Sequence, residues 1–351
     1  MKSQNQEPLV IDGRQGEGGG QVLRTALALS VHTGRPVQLQ HVRGGRKKPG
    51  LKRQHLACVR AAMAISGAVV RGDELGSEEL AFFPGELRGG DFELRVGSAG
   101  SAALVLQTVL APLLFADRVS IVRVHGGTHN AWAPPYDFLA ESFLPCVAKL
   151  GVEVTVELEE VGFFPAGGGV LVATVHPIQG AKRLELLERG RELDHYALIR
   201  RAHLDAGIAD REWRAVAQTL HWTSAKRRDM THPESRGPGN AVHLVSCFEH
   251  ITEVVTAFGA KGRGAKFVGS AAAKEMRRYL ASDAPVGIHL ADQLLLPMAM
   301  LAGGAFRTLS PSKHLLTNRD VINAFLGNVV EIETGTRDDA LVRVHSPASP
   351  K

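Results

Sequence analysis

The stretch GGQVLRTALALSVHTGRPVQLQHVRGG, Gly19 to Gly45, decides the fold because it recurs. A second version, GSAALVLQTVLAPLLFADRVSIVRVHGG, runs from Gly100 to Gly127, and a third, ADQLLLPMAMLAGGAFRTLSPSKH, from Ala291 to His314. Each begins with small or polar residues and continues as an apolar helix with a glutamine near its start. Each then turns and becomes a β-rich strand. A second helix follows every strand. PGLKRQHLACVRAAMAISG leads into AVVRG, APPYDFLAESFLPCVAKLG into VEVTVEL, and TNRDVINAFLG into NVVEIET. Pro49 and Pro134 near the first helical position, and Thr317-Asn318 as a cap, are expected to start these helices. Gly67, Gly151 and Gly327 are expected to stop them in a left-handed conformation. The later strand ends also match, FFPGEL (Phe82 to Leu87) resembling FFPAGGG (Phe163 to Gly169).

The first two copies lie about 80 residues apart, so the repeat is a supersecondary unit rather than a short solenoid element. The reading is an α/β (α+β) fold of three βαβαββ units around a pseudo-threefold axis. Before the third copy the spacing opens by roughly 100 residues, an insertion tolerated at a surface loop. That segment has its own alternating strands (ALIRRAHLD, AVHLVSCF) and helical patterns, which makes it a small α/β domain. The expected division is a large discontinuous domain of three repeats, 1–184 and 282–340, an inserted small α/β domain, 185–281, and a flexible tail, 341–351. Within the insert, Asp229 to Ala241 lacks periodicity and should be an exposed loop.

A chain of 351 residues has ample length for a sizeable core. No apolar run approaches the ~20 residues of a membrane span, and MKSQNQEP lacks a signal peptide's layout. Cys58, Cys146 and Cys247 are widely spaced, which argues against a disulfide framework or zinc ribbon and fits a reducing cytoplasm. With 41 Lys+Arg against 36 Asp+Glu, net charge alone does not demonstrate nucleic-acid binding. The basic clusters Arg43 to Arg53 and Lys226 to Arg228 read equally well as solvated faces.

If the units pack about an axis, their loops GEGGGQ, GSAGS, HGGTHNAWAPPYD, FFPAGGG, HLADQ and PSKHLLTN converge. GEGGGQVLR fails both the G-x-x-x-x-G-K-[ST] and the G-x-G-x-x-G patterns. It remains either a tight turn or a generic anion site at a helix N-terminus. Glu17 could ligate a divalent cation through oxygen, and Arg24 could reach a phosphate as a bidentate donor. His125 and His129 stand four apart, but the intervening glycines oppose a helical zinc pair. There is no G-x-S-x-G serine motif. His289 reads equally as a cap-region residue, with Asp292 and Gln293 on the same helix start. His314, at a strand end before the expected cap, could project into the loop cluster and attack phosphorus.

Six ordered motifs, DGRQGEGGGQVLR, VRGGRKKPGLKRQHL, HGGTHNAWAP, FFPAGGG, HLADQLLLPMA and SKHLLTN, resemble the RNA 3′-terminal phosphate cyclase family over nearly the whole chain. The resemblance implies an ATP-dependent, ligase-type nucleotidyl transfer in RNA processing. An active-site histidine takes AMP from ATP, AMP passes to an RNA 3′-phosphate to give RNA(3′)pp(5′)A, and the 2′-OH expels AMP to leave a 2′,3′-cyclic phosphate. It places the nucleophile on His314 and nucleotide contacts on Gln107, Pro134, His289, Asp292 and Gln293. It places support of the terminal phosphate on Arg24, Arg43, Arg46 and Gln54, and the Mg2+ or Mn2+ ligand on Glu17. The implied partners are ATP and RNA with a 3′-phosphate end, in the cytoplasm and without a membrane, with a homo-oligomer left open. His314 opposes a non-catalytic ribosome-assembly relative, and the presence of only three units opposes an enolpyruvyl transferase, whose chains carry two three-unit domains.

Overall fold

A computed structural model describes residues 7–335 and 338–346. The first unit comprises β1 (Leu9–Asp12), α1 (Gly20–Thr33), β2 (Val37–Gln40), α2 (Arg53–Ser66), β3 (Val69–Arg71) and β4 (Leu80–Phe83). The second begins with β5 (Asp91–Arg95), α3 (Ala102–Leu113) and β6 (Ser120–Gly126). Its second helix is broken into α4 (Tyr136–Phe138), a π-helical turn (Leu139–Phe143) and α5 (Leu144–Ala148), followed by β7 (Val154–Glu160) and β8 (Gly169–Val175). Then comes β9 (Leu184–Leu186). The insert follows as β10 (Glu192–Ala202), α6 (Ala206–Leu220), β11 (Arg227–Thr231), β12 (Gly239–Phe248), β13 (Thr252–Phe258) and α7 (Ala265–Leu280). The chain finishes with α8 (Ile288–Met300), β14 (Gly304–Leu309), α9 (Lys313–Leu326), β15 (Val330–Thr334) and β16 (Asp339–Val344).

Three sheets share one topology. Their strand orders are β1-β2-β4-β3, β5-β6-β8-β7 and β9-β14-β16-β15. In each, the first pair is parallel and the other two are antiparallel. Parallel pairing needs a crossover, and the first helix of each unit supplies it. The insert forms a separate sheet, β11-β10-β12-β13, backed by the mutually packed α6 and α7.

The pseudo-threefold arrangement appears in how the helices meet. The second helix of each unit packs on the first helix of the next: α2 on α3, the π-turn and α5 on α8, and α9 on α1. The ring therefore closes, and its inner helices are apolar nearly all round, as buried helices must be. In α3 every residue is buried except Gln107. In α1 nine residues are buried, and the helix stops at Gly34, whose φ of 69° is a conformation that glycine adopts without a Cβ penalty.

Several expectations change. The insertion does not precede the third unit but splits it, after β9 and before α8. The chain beyond Arg337, expected to be a flexible tail from 341, forms β16 as far as Val344, with Ala340, Val342 and Val344 buried between β14 and β15. Residues 347–351 lie outside the described residues. Pro49 stands ahead of an extended approach to Lys52, the N-cap of α2, and Pro135 rather than Pro134 caps α4. Ser312 caps α9, its Oγ accepting from the Leu315 N–H at 3.0 Å, so Thr317 and Asn318 lie inside the helix. Gly67 ends α2 in the left-handed region, whereas Gly327 has φ 82° with ψ −174°. Among the described residues no helix is long and apolar enough to cross a membrane.

Candidate active site

The GEGGG turn is shaped by what crowds it. A Cβ on Gly16 (φ 59°) would lie 1.9 Å from Thr317 Oγ1, and one on Gly20 would meet His55 Nε2 at 2.6 Å. Glu17 donates its N–H to Thr317 Oγ1 at 2.9 Å, so the first and third units meet here. Its nearly buried carboxylate is ion-paired with Arg46, which is about half exposed. Nearby, Thr25 Oγ1 donates to Asn318 Oδ1 at 2.6 Å, and Asn318 Nδ2 donates to the Asp292 carbonyl at 2.7 Å. These polar bonds lock α1, α9 and α8 where their apolar faces end.

Beside this junction lies a cleft of about 530 Å3, open to solvent. Its polar wall includes Arg24, Gln107, Asp292 and Gln293, and Leu110, Phe143 and Leu296 contribute apolar surface. Gln107 Nε2 donates to Gln293 Oε1, and Gln293 Nε2 donates to Asp292 Oδ2 at 3.1 Å. Arg24 donates to Gln21 Oε1 at 2.9 Å. Burial works against the Arg24 charge, and Asp292 supports it. The cleft thus sets an arginine beside apolar surface, and an arginine is a donor suited to phosphate or carboxylate oxygens.

His314 is the second residue of α9, not a strand-end residue as expected, and remains exposed. Loss of water around its ring lowers its pKa, and the charges of Arg24, Arg46 and His289 push in the same direction, against Asp292. The helix N-terminus adds to that effect. These influences favour the neutral form of the ring, the form in which a lone pair is available. Burial raises the pKa of Asp292, and His314 opposes the rise.

The other expected residues spread outward. His289 Nε2 stands 3.0 Å from Glu275 of α7; loss of water opposes its charge, but this bond and the surrounding acids leave its pKa raised. Gln54 accepts the Ser101 N–H at 2.8 Å, joining α2 to the start of α3. Arg43 is buried and spends Nη1 on the Lys48 and Gly50 carbonyls, at 2.8 and 2.9 Å, so it braces the basic loop. Pro134 is half-buried in the loop before α4 and does not line the cleft.

Sequence reasoning passed over His55. It is buried against Arg24 and Gly20, and burial together with surrounding arginines lowers its pKa to about 3. The Lys52 N–H donates to His55 Nδ1 at 3.2 Å, leaving Nε2 to carry the ring hydrogen toward the site. Its place within LKRQHL was the available signal, diluted by fifteen histidines.

His125 and His129 do not act as a pair. His125 faces Glu93, whereas His129 Nε2 bonds Asp137 at 2.9 Å. Asp137 also lies 3.2 Å from His243 Nε2 and receives three N–H bonds of 2.8 to 3.0 Å from Arg200. His129, Asp137 and His243 have metal-ligand spacing, but Arg200 already supplies positive charge to the carboxylate. This buried cluster joins the second unit to the insert.

The family model described as RNA 3′-terminal phosphate cyclase matches residues 15–332. A protein of that name from Ralstonia nicotianae is 48% identical over 95% of this chain and 96% of its own. Those from Salmonella typhimurium and Koribacter versatilis are 47% and 45% identical, covering 96% and 95% of this chain and 98% and 96% of theirs. Among solved structures, the enolpyruvyl transferase NikO from Streptomyces tendae aligns with 98% of this chain and 50% of its own at 12% identity. Its TM-score of 0.36 is too slight to carry an argument. By its motifs, its match across the chain and its relatives, this chain belongs to the RNA 3′-terminal phosphate cyclase family of enzymes.

Proposed function

We propose that the enzyme converts an RNA 3′-phosphate to a 2′,3′-cyclic phosphate at the expense of ATP, with His314 as the adenylyl carrier. The observation that supports this reading is an exposed imidazole on the first turn of α9, close enough to Asp292 and Arg24 for their charges to act on it. A ring nitrogen attacks the α-phosphorus of ATP, a P–N bond forms, and pyrophosphate leaves. The adenylylated ring is cationic, and the Asp292 carboxylate stabilises that charge as it develops. An oxygen of the RNA 3′-phosphate then displaces His314 from AMP. The 2′-OH, already adjacent, attacks the activated phosphate and expels AMP, an intramolecular step with a high effective molarity.

Gln107, Asp292 and Gln293 hold the nucleotide in the cleft, with Pro134 and His289 at its edge. Arg24 and Arg46 bind phosphate oxygens, while Arg43 and Gln54 fix the segments that present them. Glu17 fits a magnesium or manganese ion, which is commonly held by one carboxylate plus substrate phosphates and water. The exposed Arg46 can swing off that carboxylate. The bound ion supplies neutralisation of triphosphate charge.

Incubation with α-labelled ATP and a divalent metal is expected to label the protein with AMP through an acid-labile phosphoramidate. His314→Ala abolishes the label and turnover of 3′-phosphorylated RNA. Persistent labelling of that variant removes His314 as nucleophile.

A further inference from the structure

Two large aromatic side chains stand in solvent near this site without a role in the core. Trp132 is 96% exposed and Phe164 70% exposed, the two most exposed aromatics among the described residues. Trp132 also has φ 69°, a left-handed conformation that costs a non-glycine residue energy. Strained, solvent-facing aromatics are retained where something other than folding uses them.

Their placement is specific. His129 and Phe163 form a parallel bridge, so Trp132 and Phe164 emerge from adjacent loops a few residues beyond one pairing. The insert adds the third part. A Cβ on Gly168 would lie 2.2 Å from Arg236 Cδ, which places the arginine stem flat on the Phe164 loop. Arg236 is exposed and forms no ion pair or hydrogen bond among the described residues. A continuous set of contacts joins this patch to the cleft. Gly167 abuts Ala99, Asn130 Nδ2 donates to the Ala99 carbonyl at 2.5 Å, Gly100 abuts Gln54, and Gln54 precedes His55 beside Arg24.

We propose that Trp132, Phe164 and Arg236 form a platform for the single-stranded nucleotides immediately upstream of the reacting RNA 3′ end. Bases stack on the two rings, and Arg236 meets a backbone phosphate. The chemistry favours single-stranded RNA over an apolar protein partner because the aromatics are interleaved with an unpaired cation. The patch also continues from a site lined with arginines. Such stacking tolerates any sequence, since every base has a π-face. This inference rests on the proposed RNA-end activity and deepens it.

The test compares KM for a 3′-phosphorylated dinucleotide with KM for a 3′-phosphorylated ten-mer, and measures self-adenylylation separately. In the unmodified enzyme the ten-mer has the lower KM. Trp132→Ala and Phe164→Ala are expected to raise the ten-mer KM by about five- to a hundredfold. They leave the dinucleotide KM and the AMP label unchanged, and Trp132→Phe recovers part of the loss. Arg236→Ala is expected to reduce the slope of log affinity against log salt by about 0.7.

Binding is also read without chemistry, by quenching of Trp132 fluorescence on adding the ten-mer to enzyme without ATP. Trp213 and Trp222 are buried and serve as background. Unchanged ten-mer KM in both alanine variants overturns the platform, as does loss of the AMP label in Trp132→Ala, which would put that ring at the nucleotide. An absent AMP label in the unmodified enzyme defeats the proposed reaction instead. In that case quenching by RNA still supports the platform, and its absence overturns it.

Discussion

Asp137→Asn tests the join between the insert and the second unit. The substitution keeps the shape of the side chain and removes its charge. Arg200, 6% exposed, then has no counterion for the group that now makes three bonds to the carboxylate. His129 loses a charged hydrogen-bond partner and His243 a neighbouring negative charge as well. Removing one partner of a buried pair typically costs about 3–5 kcal/mol. The Asn oxygen still accepts one guanidinium N–H, so the expected loss is near the lower end, about 3 kcal/mol.

Urea unfolding followed by tryptophan fluorescence reads this loss, because Trp213 and Trp222 lie buried within the insert. The double variant Asp137→Ala/Arg200→Ala should be less destabilised than the sum of the two single changes, since the orphan charge leaves with its partner. The pH dependence gives a second check. Asp137 is held far below the usual carboxylate range despite its burial, by His243, His129 and Arg200. Its contribution is fully present above about pH 4 and is lost only in stronger acid, so the cost of Asp137→Asn stays flat from pH 5 to 8. A loss below about 1 kcal/mol, or strictly additive single variants, refutes the reading of a buried clamp.

Burial lowers the pKa of His243 and of His32 to about 4, so the unfolded chain takes up these protons first. Stability should therefore fall as pH drops from about 6.5 to 4, by up to about 1.4 kcal/mol per unit for each histidine; a flat urea midpoint over that window contradicts it. Burial raises Glu253 to about 8 while its Oε2 accepts the Gly287 N–H. Its cost appears above the unfolded value near 4.3 and grows toward pH 8, so Glu253→Gln should stabilise at pH 8 more than at pH 5. Equal effects at both values would count against it. Arg43→Ala should cost about 1.5–3 kcal/mol through the loop carbonyls it serves, whereas Arg46→Ala should cost under about 1 kcal/mol and chiefly slow RNA-end turnover. Comparing unfolding midpoints with turnover separates the two roles. Gly16→Ala should cost at least about 1–2 kcal/mol from its backbone conformation, with a further clash that Thr317→Ala relieves in part.

The units were legible because their helices are apolar nearly all round and their strands carry recurrent signals, a pattern that survives divergence. The strand β16 was not, since it opens on the second of two adjacent aspartates and a proline-rich end follows, hiding the alternation of Ala340, Val342 and Val344. Residue types at the site were readable from motifs, but their local settings were not. Thr317-Asn318 resembles a cap, yet Ser312 starts the helix earlier, and the two side chains instead bind Glu17, Thr25 and Asp292 from within it. Arg43 and Arg46 look alike in RGGR, and only the fold separates the buried brace from the exposed one. Asp137 gave little local sign, because of its partners only His129 is near in sequence, while Arg200 and His243 come from the insert.

The closure of α9 onto α1 has a consequence for how the protein is made. Glu17 and Thr317 are 300 residues apart, and Thr25 and Asn318 are 293 apart. The first unit leaves the ribosome with one flank of α1 uncovered, and it stays so until almost the whole chain has been synthesised. Non-local contacts of this separation form late, and apolar surface exposed meanwhile invites aggregation. The bonds that Thr317 and Asn318 make to Glu17 and Thr25 therefore stay unmade until that last helix docks. A premature stop anywhere before α9 leaves that flank of α1 without its cover.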